Sequence, residues 1–85
     1  MKHKTKLIAE IDVLLQHSLS NVLYNQLSKY KTSIESFKSF EELCIANERF
    51  GRFIVDSFNW DDPYYKKCSE IRRLGLSIEH ELKAN

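Results

Sequence analysis

Between Lys4 and Ser18 the apolar residues fall at Leu7, Ile8, Ile11, Leu14 and Leu15. That spacing of three and four is the stripe of a helix with one buried face, and Val13 lies off it. A second stripe follows at Leu23, Leu27, Tyr30 and Ile34, after the candidate caps Ser18-Leu19-Ser20-Asn21. Its outer face is Ser, Asn, Gln and Lys, and Ser36-Phe37-Lys38 reads as the connection. The third stripe takes Phe40, Leu43, Cys44, Ala46, Phe50, Phe53, Ile54 and Phe58, widened by Ile45 and Val55. The fourth takes Tyr64, Cys68, Ile71, Leu74, Ile78 and Leu82, with Leu76 out of phase. The periodicities predict helices over about 4–17, 20–35, 40–58 and 63–83.

Two helix starts are written in side-chain chemistry. Ser39-Phe40-Glu41-Glu42 is a capping box, in which the Ser39 hydroxyl accepts from the N–H three residues on and Glu42 reaches back. In Trp60-Asp61-Asp62-Pro63, either aspartate is placed to cap a helix that Pro63 begins. Gly51 inside the third helix costs about 1 kcal/mol relative to alanine, so a close approach of another helix or a local bend is expected there. Gly75 interrupts the fourth helix without ending it, and a kink is one expectation. Short connections favour antiparallel neighbours. The expected fold is all-α: a four-helix antiparallel up-down bundle forming one domain over residues 1–85. A chain of 85 residues has no material for a second core and little for a deep enclosed active site.

Net charge is only +1, which argues against a protein that grips a phosphate backbone by bulk electrostatics. Its distribution is uneven. Residues 1–38 carry Lys2, Lys4, Lys6, Lys29, Lys31 and Lys38 against Glu10, Asp12 and Glu35, a net +3. Residues 40–62 carry Glu41, Glu42, Glu48, Asp56, Asp61 and Asp62 against Arg49 and Arg52, a net −4. Such a surface can meet a basic partner, although Glu41, Glu42, Asp61 and Asp62 all have helix-end roles open to them and Glu48 has Arg52 four residues on. Trp60, Tyr64 and Tyr65 edge this segment. Tyr64 fits the core phase, which leaves Trp60 and Tyr65 as the aromatics expected at the surface and the turn that bears them as the first choice of contact site.

Catalytic chemistry finds no pattern here: there is no nucleophile with its base, no phosphate loop and no set of metal ligands, and neither an enzyme nor a cofactor is expected. His3, His17 and His80 stand far apart and pair with no cysteine or carboxylate at ligand spacing. Cys44 and Cys68 fall on apolar faces and read as buried thiols in a reducing cytoplasm, with a disulfide between the third and fourth helices as the alternative. The start shows no signal-peptide pattern, and its lysines read as a frayed solubilising end; Arg72-Arg73 reads as a solvated face. No apolar run is long enough to span a membrane.

Glu41-Glu42-Leu43, Ala46 and Glu48-Arg49-Phe50 resemble a stretch of the small helical immunity proteins that neutralise the tRNA-cleaving bacteriocin colicin D. In that family acidic side chains cover a basic nuclease site and imitate its RNA. The resemblance implies this role for Glu41, Glu42 and Glu48. The resulting expectation is a stoichiometric inhibitor, an immunity protein in the cytoplasm facing a basic toxin domain, with Glu41, Glu42, Glu48, Asp56, Trp60, Asp61, Asp62 and Tyr65 at the contact. The alternative is a self-associating helical adaptor or regulator using Val13, Ile45, Val55 and Leu76 as a dimer face. A nucleic-acid module using the amino-terminal lysines with Arg72 and Arg73 stands third.

Overall fold

A computed structural model describes residues 2–84. They form four helices: α1 (Lys2–Leu15), α2 (Asn21–Ser36), α3 (Phe40–Ser57) and α4 (Tyr65–Ala84). Each helix packs on the next in chain order and α4 closes the ring against α1. Cross-helix partners run in opposite directions, with His3 beside Glu81 but Glu10 beside Lys67, so neighbours are antiparallel. The molecule is 37 Å long. That is the length of a 20-residue helix, about 30 Å, with a turn at each end.

The core is one cluster drawn from all four stripes. Leu7 and Ile11 from α1, Leu27 and Ile34 from α2, Leu43 from α3 and Cys68, Ile71 and Ile78 from α4 are all but fully excluded from solvent. Burying a side chain of this kind contributes roughly 1.5–3 kcal/mol, so the stripe, more than propensity, makes these helices. Phe40 departs from expectation. It lies at the first turn of α3, where the chain has only just entered the bundle, and 40% of it remains exposed.

Local chemistry sets the ends. Ser20 accepts from the Leu23 N–H at 3.2 Å, and Ser39 from the Glu42 N–H at 3.1 Å. Glu42 does reach back, but to the Lys38 N–H at 2.7 Å, one residue beyond the cap. No glycine terminates α2 or α3. Instead Phe37 and Phe58 leave the helix in extended conformation, each still donating its N–H to the carbonyl four residues before, and turn their rings onto opposite ends of the core. The start of α4 differs from expectation. Asp62 accepts from the Tyr64 N–H at 2.8 Å and Tyr65 donates to the Asp62 carbonyl, so Pro63 sits in a turn and the helix begins at Tyr65.

The amino-terminal end is docked, not frayed. His3 meets Glu81 of α4, and the Lys4 ammonium stands 5.2 Å over the Phe37 ring. Cys44 and Cys68 are both free thiols. Antiparallel pairing sets Cys44 opposite Glu79 and Cys68 near the other end of the seam, roughly 15 Å away along the axis, beyond disulfide reach. No helix among the described residues is long and apolar enough to cross a membrane.

Candidate functional site

The polar interior of the bundle lies on the α3–α4 seam. Asn47 sits on the apolar side of α3, one turn after Leu43 and one before Ile54's neighbour Phe50, and is 1% exposed. Its Nδ2 donates to the Gly75 carbonyl at 3.0 Å and to Glu79 Oε2 at 2.5 Å, and its Oδ1 accepts from the Tyr30 hydroxyl. The other Glu79 oxygen accepts from the Cys44 thiol at 3.2 Å. The Asn47 carbonyl accepts from Arg72 Nε at 3.4 Å. Burial, then the Arg72 and Glu79 charges acting in opposite senses, holds the Tyr30 hydroxyl well above the usual phenol range. Burial and the hydrogen bond to Glu79 together raise the Cys44 thiol. Tyr30 and Cys44 therefore act as donors in this arrangement, and no reactive thiolate is generated.

The two interior glycines serve this seam. A β-carbon at Gly75 would overlap the Tyr30 hydroxyl and Asn47 Oδ1, and one at Gly51 would meet the Arg72 guanidinium. Gly51 is thus a close approach, as one of the two expectations had it, and Gly75 permits contact within a helix that runs on without interruption. Arg72 lies half buried across Gly51, whereas Arg73 is exposed, so the pair is not one solvated face.

The expected partner residues divide into three groups. At 100° per residue, Glu41, Glu48 and Asp56 fall within about 80° of one another on the outward side of α3, with Arg52 and Ile45 among them and Val55 just beyond their edge. Glu48 faces Arg52 at 3.9 Å, both highly exposed, a pair that contributes little. Glu42 and Asp62 are occupied as caps. The third group is the α3–α4 turn, where Trp60 is 85% exposed and Asp61 is exposed beside it. Tyr65, expected at the surface, is half buried against the core, as is Tyr64, whose ring meets His17 edge-on at 6.2 Å. An uninterrupted acidic rod is therefore not what α3 presents. It presents three carboxylates on one outward stripe, ending at an exposed indole.

Compared with family models, characterised proteins and solved structures, the chain matches none.

The four apolar residues expected at a dimer face do not gather. All are exposed, Val13 at 52%, Ile45 at 43%, Val55 at 77% and Leu76 at 39%. They lie on three helices, and Ile45 and Val55 are about 15 Å apart along α3 and some 80° apart around it. Among the described residues no three His, Cys, Asp or Glu side chains group as metal ligands. Sequence reasoning missed Asn47, Glu79 and Arg72. The signal for Asn47 was present: a polar residue inside an apolar stripe, in a chain with a glycine at mid-height of the next helix.

Proposed function

We propose that this protein is a stoichiometric binding protein that covers a basic surface of another protein with the outward stripe of α3 and the turn that follows, in the manner of the small helical immunity proteins. The observation that carries the reading is Trp60. An indole 85% exposed, on a domain whose other aromatics lie partly or wholly against the core or along helix surfaces, is the kind of anchor that dominates interfaces. Val55, 77% exposed, and Asp56 lie one to two turns before it, and Asp61 directly follows. Glu41 and Glu48 continue the same sign along the helix, so the surface offers an apolar anchor and a row of carboxylates that steer a cationic partner. The carboxylates with capping work, Glu42 and Asp62, are not part of this surface.

The test uses the open reading frame neighbouring this gene. Coexpression should rescue cells from a toxin encoded there, and Trp60→Ala combined with Asp56→Lys and Asp61→Lys should abolish rescue while the thermal midpoint stays within a few degrees. Rescue that survives all three changes, or a neighbour without toxicity whose product does not bind, removes the reading.

A further inference from the structure

Each of the four seams of the bundle carries a polar contact between helices. Lys31 of α2 donates to Asp12 of α1 at 2.6 Å, Lys67 of α4 faces Glu10 of α1 at 3.5 Å, and the Asn47 network ties α3 to α4. On the α2–α3 seam that contact, from the Tyr30 hydroxyl to Asn47 Oδ1, lies in the interior, and the outer side has no ion pair among the described residues. It is an open groove lying over the stacked rings of Tyr30 and Phe50, 4.3 Å between centroids, which with Ala46 are themselves buried. Lys29, Lys38 and Arg49 stand exposed on its walls, and none of the three is in an ion pair among the described residues. The one carboxylate in the groove, Glu42, is turned onto the Lys38 backbone. Lys4 adds a fourth cation at the Phe37 end, and Ile45 leaves 43% of its surface exposed on the rim.

We propose that the α2–α3 groove is a second docking surface, of opposite sign to the α3 stripe, and that its occupant is an acidic amphipathic helix of a partner protein. Charge complementarity selects the sign: cations without ion partners beside the exposed Ile45 match a helix with carboxylates beside its apolar stripe. Shape selects the helix. Two antiparallel helices leave a furrow between them, and the lining from Gln26 to Phe37 extends about 16 Å, room for roughly three turns of a third helix laid along it. The exposed Ile45 disfavours a phosphate polymer, which has a charged backbone to offer the lysines but no apolar stripe to cover that side chain. This surface is separate from the Trp60 turn and does not depend on what the turn binds.

A photo-crosslinking p-benzoylphenylalanine in place of Ser33, on the α2 wall of the groove and away from the acidic stripe, in the full chain within cells that naturally make it, tests the assignment. The expected result is an adduct to a protein segment that has apolar residues every three or four positions and more Asp and Glu than Lys and Arg. Lys29→Glu with Arg49→Glu should lower the adduct at least tenfold without moving the helical circular-dichroism melt. Trp60→Ala should leave it unchanged, which separates this surface from the turn. Absence of any adduct, an adduct to a basic segment, to nucleic acid or to a second copy of this chain, or an adduct indifferent to the charge reversal would overturn the proposal.

Discussion

The α3–α4 and α2–α3 seams are made by the same helix, yet one is closed by polar groups and the other is left open by them. On the α4 side Asn47 gives both amide donors to Gly75 and Glu79, and glycines let the backbones and side chains interlock. On the α2 side the one interior polar contact is the Tyr30 hydroxyl on Asn47 Oδ1, the rest of the buried layer is aromatic, and the polar groups above it, Lys29, Lys38 and Arg49, have no ion partners among the described residues. A buried polar group that is satisfied specifies one arrangement of helices, because any slip leaves it unpaired at a cost of about 1–3 kcal/mol per group. An exposed group with no partner costs the fold nothing and remains open to another molecule. Stability should therefore respond to changes at the first seam, and association to changes at the second.

The largest effect is expected from Asn47→Ala. It opens a cavity, orphans the Tyr30 hydroxyl and takes a donor from the Glu79 carboxylate, so a loss of about 3 kcal/mol in urea-unfolding free energy is anticipated. A loss below about 1 kcal/mol would mean that the network does not hold this seam and would erase the contrast. Next are the glycines, which should part company. Gly75→Ala must displace two buried polar groups and should cost about 2 kcal/mol even after alanine's helix propensity is counted. At Gly51 only the end of the Arg72 side chain is in the way, so Gly51→Ala should be neutral or up to about 1 kcal/mol stabilising. Equal effects at the two positions would show that close approach is not confined to the network.

Alkaline pH probes the core at the far end of the same seam. Burial, aided by the nearby Asp62 charge, pushes the Cys68 thiol from an ordinary 9.0 up to about 12. Below pH 9 native and unfolded chains both hold the proton, and this contribution is fully present. From there to pH 12 the unfolded chain releases it and the native chain does not, so stability falls as pH rises, by up to about 1.4 kcal/mol per pH unit from this group. Cys68→Ala should flatten the denaturation free energy over that window relative to wild type. Identical slopes would mean that the thiol is not shielded as its burial implies. The Lys31 ammonium, raised chiefly by its hydrogen bond to Asp12, adds a loss of the same sign at high pH.

The smallest effect is the sharpest test of the open seam. Lys29→Glu with Arg49→Glu should change stability by no more than about 0.5 kcal/mol, since neither side chain has a cross-helix ion partner. A substantial loss by chemical denaturation would place these cations in the fold after all.

Much of the architecture was legible because its causes lie within four residues along the chain. The stripes through Leu7-Ile11-Leu14 and Leu23-Leu27-Tyr30-Ile34 are periodicities of a single helix, and Ser39 with Glu42 caps by contact across one turn. The sequence by itself therefore determined four amphipathic helices, three short connections and an all-α bundle. Even the misplaced start of α4 is a local matter, in which Asp62 caps a turn ahead of the helix. What only the tertiary structure decided involves partners 17 to 35 residues apart: Tyr30 with Asn47, Asn47 with Gly75 and Cys44 with Glu79. It also decided that Arg72 turns inward while Arg73 does not, and that two of six expected contact acids are held as caps while three align outward. The physical reason is that a periodicity says which face of a helix is buried but carries no phase relative to its neighbours. Which polar group meets which is settled when the helices dock and each buried donor must find an acceptor across the seam.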